Sequence, residues 1–410
     1  IPSISIAHAI FGKDKTIYRD FKESLFSLLF CTFGDLFTGI VMGIFTHSLE
    51  ALPALMVLIP STIGMRGNIF ASLGSRLGTY LHTGQIEPSF RINPLLSQNI
   101  ISSFTLTLIT SIFLGIIAAM FSSAMGLKNT ILSLVLVSLI AGILSACVML
   151  IFTFLVAFLT YRLGWNPDNT SAPLITLAGD VVTLPLLFIS YNLIKDFSYT
   201  ESITILLSLL IFFIIPTLLY STDRDKRYYR RIIRESLPIL IICGIIGTFS
   251  GTVLLSRVES LIEIPALLIL IPPFLEDGGA IGGILASRFS SSLHLGLSEY
   301  SSKPSKDVIR TFFLMHLLAF WVFALVGVFG YSIAKTMNIQ TLPLVSMVLI
   351  SVIAGEILVV LVNFVAYYTS MISFKRGIDP DNVAIPVITS VIDLLGAVCF
   401  VAVAMTIGFA

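Results

Sequence analysis

The sequence predicts an all-α polytopic membrane protein with eleven transmembrane helices, arranged as two parallel five-helix repeats joined by a linker helix. Composition is the first evidence, since 56% of the 410 residues are hydrophobic and 11% are charged, against about 25% charged residues in an ordinary soluble domain. Apolar runs recur from residue 24 to the end, and about 20 apolar residues suffice to cross a bilayer. The two halves of the chain also resemble each other.

Composition also excludes several classes of protein. A soluble enzyme is excluded by the low charge content, and the formal net charge of +1 offers no basic surface for nucleic acid. A membrane barrel would need strands that alternate apolar and polar residues, whereas the run 203–219 is almost entirely apolar. Helices in a lipid bilayer are therefore the expected structure.

The repeat is found by comparing the sequence with itself at a shift of 212 residues, which becomes 213 after a one-residue slip. Pro53, Pro60 and Gly67 then align with Pro265, Pro272 and Gly279, and Asp180 aligns with Asp393. Matches at prolines, glycines and an aspartate within apolar segments predict that the chain contains two copies of one fold.

Each repeat contains five hydrophobic segments, and an eleventh lies between the repeats. The segments are 24–46, 53–81, 99–121, 130–160 and 172–194; then 202–220; then 237–256, 265–293, 311–333, 343–373 and 384–409. We therefore divide the chain into a first repeat (1–200), a linker helix with a basic loop (201–235) and a second repeat (236–410). Five crossings plus the linker make six, so both repeats face the same way, around a pseudo-two-fold axis along the membrane normal. We expect a monomeric pseudodimer that has no obligate protein partner.

Orientation follows from the basic residues of the loops. With a cytoplasmic N-terminus, 17 of the 24 lysines and arginines fall in cytoplasmic segments, four in external loops and three within hydrophobic segments. The sequence therefore predicts a cytoplasmic N-terminus and an external C-terminus, and we expect the protein in the plasma membrane.

The fifth segment of each repeat carries a carboxylate inside the membrane, Asp180 and Asp393. Thr176 and Thr389 precede them by four residues and so share their helix face. Carboxylate and hydroxyl oxygens suit Mg²⁺ or Ca²⁺, and a buried acid is costly unless it has a use. The alternative is that each aspartate only caps or fixes a helix. We predict a cation site in which the two carboxylates face each other across the axis.

A second candidate is the proline and glycine motif of each repeat's second segment, 60–68 and 272–280. Proline followed by glycines weakens a helix, and a broken helix could offer the carbonyls around Gly67, Asn68 and Gly279 to a cation. The alternative is close packing between helices through small residues.

Several charged residues have no equivalent in the other repeat. Asp277 aligns with Met65, so Arg66 of one repeat could pair with Asp277 of the other. The acids Asp35, Glu276 and Glu356 could bind a coupling Na⁺ or H⁺, or could merely form hydrogen bonds with neighbouring backbone.

The motif from Pro60 to Asn68, together with Pro173, Thr176 and Asp180, resembles the membrane domain of the MgtE magnesium channels. Two copies joined by an extra helix are similar to the eukaryotic solute-carrier magnesium transporters of the same superfamily. The resemblance implies Mg²⁺ passage between the two halves, with the fifth-helix aspartates as principal ligands.

We therefore expect a transporter of Mg²⁺, either a channel or an exchanger coupled to Na⁺ or H⁺, embedded in the lipid bilayer. Mg²⁺ is then the cargo, and no organic cofactor is expected. An alternative from another class is an intramembrane aspartyl protease, in which two facing carboxylates activate water. The duplicated motif favours an ion over the unequal acid and base of a protease, so we do not expect an enzyme.

Overall fold

The computed structural model describes residues 15–88, 93–127, 131–163, 167–222, 226–294, 303–375 and 385–408. Those residues form thirteen helices, with no strand among them. In chain order the helices are α1 (Lys15–Ile44), α2 (Thr46–Ala51), α3 (Leu55–His82), α4 (Pro94–Ala124), α5 (Ile131–Arg162), α6 (Pro167–Ile194), α7 (Tyr199–Thr222), α8 (Arg227–Leu255), α9 (Val258–Glu263), α10 (Pro265–His294), α11 (Lys306–Thr336), α12 (Leu344–Lys375) and α13 (Ile385–Gly408).

Each of the eleven predicted hydrophobic segments coincides with one long helix, so the all-helical class is confirmed. Eight of these helices are long and apolar enough to cross a membrane. Of the remaining three, α1 and α7 contain shorter apolar stretches, Leu28–Ile44 and Tyr199–Phe213, and α3 contains two arginines. The count of eleven crossings stays a prediction.

The chain forms two compact units. One is Phe37–Ile269, called the 37–269 unit below, and the other combines Ile1–Leu36 with Leu270–Ala410, called the 270–410 unit. The predicted division at residues 200 and 235 rests on sequence similarity and stays a prediction, whereas these units follow packing. The first helix of the first repeat thus contributes its N-terminal part to the unit that holds most of the second repeat.

In the 37–269 unit, α3 is the central helix and packs against α4, α5, α6 and α8. Helix α8 also packs against α4, so the first helix of the second repeat lies on the core of the first repeat. The linker helix α7 contacts α4 and α5 only lightly, and Leu207, Ile211 and Phe212 on it are exposed. In a bilayer these side chains would face lipid.

In the 270–410 unit, α12 packs between α11 and α13. Phe274 of α10 holds the unit together, since its ring contacts Phe323 of α11 and Phe400 of α13. Helix α1 joins the same unit through Phe33, whose ring lies 5.1 Å from that of Phe329.

Equivalent residues of the two repeats make equivalent contacts. Gly115 of α4 lies against the backbone of Val135 in α5, and Gly327 of α11 lies against Val348 in α12. These pairs match at the shifts of 212 and 213 residues. Equivalent residues also begin equivalent helices, since Asn93 caps α4 and Ser305 caps α11. The short helices α2 and α9 are equivalent as well, although the sequence did not predict them.

The first helix of each repeat packs against the other repeat, and the two contacts are equivalent. A side chain at Gly39 of α1 would overlap the carbonyl oxygen of Ile269 in α10, and one at Gly251 of α8 would overlap that of Val57 in α3. Each first helix therefore crosses the second helix of the other repeat, within backbone contact.

The expectation of a broken helix at the proline and glycine motifs is wrong. Helices α3 and α10 run without interruption through Pro60 and through Pro272. In α3 the hydroxyls of Ser61 and Thr62 donate to the carbonyl of Leu58, close to the proline. Ser and Thr side chains and neighbouring helices allow proline inside a membrane helix. The role of Gly67, Asn68 and Gly279 in the pore stays a prediction.

Candidate functional site

The two sequence motifs of the first repeat meet in the 37–269 unit, where α3 crosses α6. A side-chain carbon at Gly67 would lie 3.1 Å from Cγ2 of Thr176, and one at Gly179 would lie 3.2 Å from the backbone nitrogen of Gly67. Glycine at both positions lets the two backbones approach. Asp180, which follows Gly179, is thereby buried beside the motif of α3.

The second repeat forms the same crossing in the 270–410 unit, between α10 and α13. A carbon added to Gly279 would lie 3.9 Å from Cβ of Thr389 and 4.0 Å from Oδ1 of Asp393. Gly279 therefore leaves open a space beside the half-buried carboxylate. In each repeat the predicted glycine and threonine are in contact, with the predicted aspartate at the crossing.

Three further acids are gathered near this second crossing. Asp277 of α10 is fully buried, and both of its carboxylate oxygens accept from the hydroxyl of Thr32 on α1, at 2.9 and 3.0 Å. Asp35, one turn along α1, is also fully buried, and neither carboxylate oxygen has a hydrogen-bond partner among the described residues. Glu276 interacts electrostatically with both Asp35 and Asp393.

The equivalent positions of the 37–269 unit carry no acid apart from Asp180. Gly244 and Gly247 of α8 replace Thr32 and Asp35, and Met65 replaces Asp277. These residues pack closely, since a carbon at Gly244 would lie 3.0 Å from the Met65 side chain and one at Gly247 2.9 Å from the backbone of Ser61. The 37–269 unit is apolar where the 270–410 unit is acidic.

Arg66 is fully buried on α3. Its Nη2 donates to the hydroxyl of Ser111 at 2.7 Å, while Nε and Nη1 have no hydrogen-bond partner in the described part of the chain. Gly142 of α5 makes room for the guanidinium. A buried cation with unsatisfied donors is costly, and the predicted pairing with Asp277, which belongs to the other unit, stays a prediction.

Glu356 belongs to a polar group that sequence reasoning missed. Its Oε2 lies 2.6 Å from Nδ1 of His316 on α11, and the amide nitrogen of Asn363 lies 3.4 Å from Nε2 of the same ring. The only signal in the sequence was that the first repeat has Phe104, Ile143 and Leu150 at these three positions.

No three histidine, cysteine, aspartate or glutamate side chains among the described residues are placed to hold a metal ion together. Asn68 is half-buried, one residue beyond Gly67 on α3. Asp180 and Asp393 lie in different units, so their approach across an axis stays a prediction. What the structure provides is two equivalent helix crossings, each lined by carboxylate and hydroxyl oxygens.

Comparison with known proteins identifies the family. The family model for MgtE, described as a divalent cation transporter, matches residues 59–190 and 271–403. The two matches begin 212 residues apart and end 213 apart, which are the shifts of the internal repeat. Both matches span the candidate crossings.

The curated relatives are solute carriers. Solute carrier family 41 member 3 of Mus musculus is 25% identical over 95% of this chain and 83% of its own length. Solute carrier family 41 member 2 is 26% identical in Mus musculus and 25% in Homo sapiens, in both cases over 91% of this chain and 68% of the relative. No solved structure matches the chain.

These relatives are transporters and not enzymes, as expected, and they give the protease alternative no support. With several helices that can span a bilayer, the chain is a multi-pass integral membrane protein. It belongs to the MgtE family of divalent cation transporters.

Proposed function

We propose that the protein moves Mg²⁺ between its two repeats, with Asp180 and Asp393 as the ligands and Thr176 and Thr389 supplying neutral oxygens. The observation that carries the proposal is the recurrence of one glycine, threonine and aspartate crossing in both repeats. Mg²⁺ is commonly held through one or two carboxylates while it keeps several waters. Two acids suffice for such an ion, so a three-ligand cluster is not required.

The test is Mg²⁺ flux into liposomes that contain the purified protein. Asp180→Asn and Asp393→Asn keep the size of each side chain but remove its charge, and we expect either change to abolish flux. Glu50→Gln, at an exposed acid, is the control and should transport normally. Wild-type flux in both aspartate variants would refute the ligand assignment.

We further propose that transport is driven either by the Mg²⁺ gradient alone or by an opposing Na⁺ or H⁺ gradient acting through Asp35, Glu276 and Asp277. These acids support coupling because the equivalent positions, Gly247, Gly64 and Met65, carry no acid. An imposed Na⁺ or pH gradient should accelerate Mg²⁺ entry in an exchanger, and it should leave the rate of a channel unchanged at equal membrane potential.

The pairing of Arg66 with Asp277 forms part of the proposal, because each is a fully buried charge whose hydrogen-bond partner among the described residues is a hydroxyl. A double-mutant cycle with Arg66→Met and Asp277→Met tests the pairing through the free energy of unfolding. Paired charges should give a coupling energy above about 1 kcal/mol, whereas independent sites add to within about 0.5 kcal/mol. Additive losses would reject the pair.

A further inference from the structure

The group formed by His316, Glu356 and Asn363 has no equivalent in the first repeat. The same places on α4 and α5 hold Phe104, Ile143 and Leu150, while the two helix pairs share their backbone contacts at Gly115 and Gly327. The fold therefore does not need polar side chains here. Polar groups inside a membrane are costly and by default indicate a function.

One arrangement of the hydrogens follows from the orientation of the Asn363 amide. With the amide nitrogen 3.4 Å from Nε2 of His316, the nitrogen donates, and Nε2 accepts and carries no proton. Nδ1 must then hold the ring proton and donate it to Glu356, at 2.6 Å. A neutral imidazole beside a carboxylate leaves the group with a net charge of −1 inside the helical bundle.

A second arrangement is available to the same three side chains. Oδ1 of Asn363 is buried, and no described residue forms a hydrogen bond with it. Rotating the amide by half a turn would bring this oxygen to Nε2. The oxygen could then accept a hydrogen bond from a protonated Nε2. One added proton would make the group neutral, as an imidazolium between a carboxylate and an amide oxygen.

We propose that His316, Glu356 and Asn363 form a proton-binding site, in which the Nε2 lone pair of His316 takes a proton from water and the Asn363 amide turns to hold it. Imidazole nitrogen is a proton acceptor, whereas Na⁺ and Mg²⁺ prefer oxygen ligands. The ion that binds at Glu356 in this proposal is therefore H⁺ and not Na⁺. The His316 and Glu356 side chains are 30% and 32% exposed, so the group is not sealed inside the helical bundle.

Helix α12 connects this proton site to the candidate cation site within the same unit. Leu358, two residues after Glu356, packs against Gly278 of α10 and Gly396 of α13. Gly278 lies between Asp277 and Gly279, and Gly396 lies one turn beyond Asp393. A shift of α12 on protonation would therefore act on both helices of the crossing, a consequence that rests on the proposed function.

Other ionisable groups lie on the helices packed around the site. They are Lys306, Asp307, Arg310, Tyr331 and Lys335 on α11; Tyr367, Tyr368 and Lys375 on α12; Asp393 and Cys399 on α13; and Glu276, Asp277 and Arg288 on α10. In the described part of the chain, Glu356 and His316 form hydrogen bonds or ion pairs only with each other and with Asn363.

The first test measures protonation directly and needs no transport. The full-length protein in lipid nanodiscs, labelled with ¹⁵N-histidine, is titrated by NMR, and the signal of His316 is assigned by its loss in His316→Phe. We expect a change from pH 8 to pH 6 to alter the His316 nitrogen signals, and we expect Glu356→Gln to alter that response. A His316 signal that stays unchanged over this range would overturn the proposal.

The second test measures Mg²⁺ flux in liposomes at pH 6 and pH 8. Because the unprotonated site carries a negative charge that attracts Mg²⁺, we expect several-fold faster flux at pH 8. The triple variant His316→Phe, Glu356→Ile and Asn363→Leu, which installs the residues of the first repeat, should lose this dependence. A triple variant that retained the wild-type dependence, or wild-type flux equal at both pH values, would overturn the link to transport.

His47→Phe is the matched control, since His47 forms the same kind of pair with Glu50 but is almost fully exposed. It should keep the wild-type pH dependence.

The transport proposal and the proton-site proposal can be refuted independently. Asp180→Asn should stop flux at every pH while the His316 titration persists, and a wild-type protein that moved no Mg²⁺ would refute the transport proposal but not the proton site.

Discussion

Equivalent positions of the two repeats carry chemically opposite residues at the crossing of the first and second helices. Asp35 of α1 is aligned with Gly247 of α8, and Asp277 of α10 is aligned with Met65 of α3. Since the backbone contacts are shared, the acids are not required for packing. Acids inside a membrane protein that packing does not require are typical of functional sites.

We therefore expect substitutions of Asp35 and Asp277 to change the free energy of unfolding in opposite directions. Asp35 is buried without hydrogen bonds, so Asp35→Ala removes a desolvated group and should raise the free energy of unfolding by about 1–3 kcal/mol. Asp277→Ala removes the acceptor of two contacts from Thr32 and should lower it.

Thermal unfolding in detergent, without divalent cations, measures both variants. The comparison is internally controlled because both residues are fully buried acids of one unit. A destabilised Asp35→Ala would show that this carboxylate supports the fold, and it would remove the main argument for a site at that position.

Sequence reasoning identified the intramembrane acids but not their partners. Asp180, Asp393 and Asp277 are recognisable because an acid within an apolar run is unusual. His316 and Asn363 acquire their role only where α11 packs against α12, 40 and 47 residues from their partners in sequence. No local pattern encodes such a contact.

At the scale of elements, the long helices were predictable because an apolar run of bilayer length has few other structures open to it. Their ends were less predictable, since polar residues extend α4 and α11 back to the caps Asn93 and Ser305. The six-residue helices α2 and α9 lack an apolar run of their own. The uninterrupted α3 and α10 show that proline and glycine together do not break a membrane helix whose neighbours pack closely.

Close helix contact predicts which glycines can be replaced. Gly115→Ala would place a carbon 2.5 Å from Cα of Val135, and Gly327→Ala would place one 2.6 Å from Cα of Val348. Because backbone must move to relieve each overlap, we expect each change to lower the free energy of unfolding by about 1–3 kcal/mol.

Gly283 is the matched control for these two, because it also lies within a helix but no atom of the described residues lies within 4 Å of an added carbon. Gly283→Ala should therefore be neutral or stabilise by up to about 1 kcal/mol through helix propensity. Thermal midpoints of the three variants suffice for the comparison. Equal effects at all three glycines would show that propensity, and not helix contact, decides the outcome.

At the scale of the molecule, the division into units reflects the exchange of first helices. Residues before Leu36 belong to the unit of the second repeat, while α8 packs on the core of the first. The repeat itself was visible in the sequence because special residues recur at a fixed shift. The exchange of first helices was not visible, because the shift in residue number between equivalent positions does not tell which repeat each helix contacts.

The linker helix α7 decides whether the two repeats are parallel. It lies outside both regions that match the family model, and its apolar stretch Tyr199–Phe213 is short, so its crossing must be tested. Asp196 and Gln340 are exposed residues in loops on either side of α7, α8, α10 and α11. If all four helices cross, both residues lie on the same side of the membrane.

Single cysteines at these sites, in a background without Cys31, Cys147, Cys243 and Cys399, measure this directly. We expect an impermeant maleimide to label Asp196→Cys and Gln340→Cys on intact cells, and Gln85→Cys, in the loop after α3, only after permeabilisation. Because a helix that merely lies on the membrane adds no crossing, labelling of Asp196→Cys but not Gln340→Cys would make the repeats antiparallel. The proposed axis along the membrane normal would then have to be replaced by one in the membrane plane.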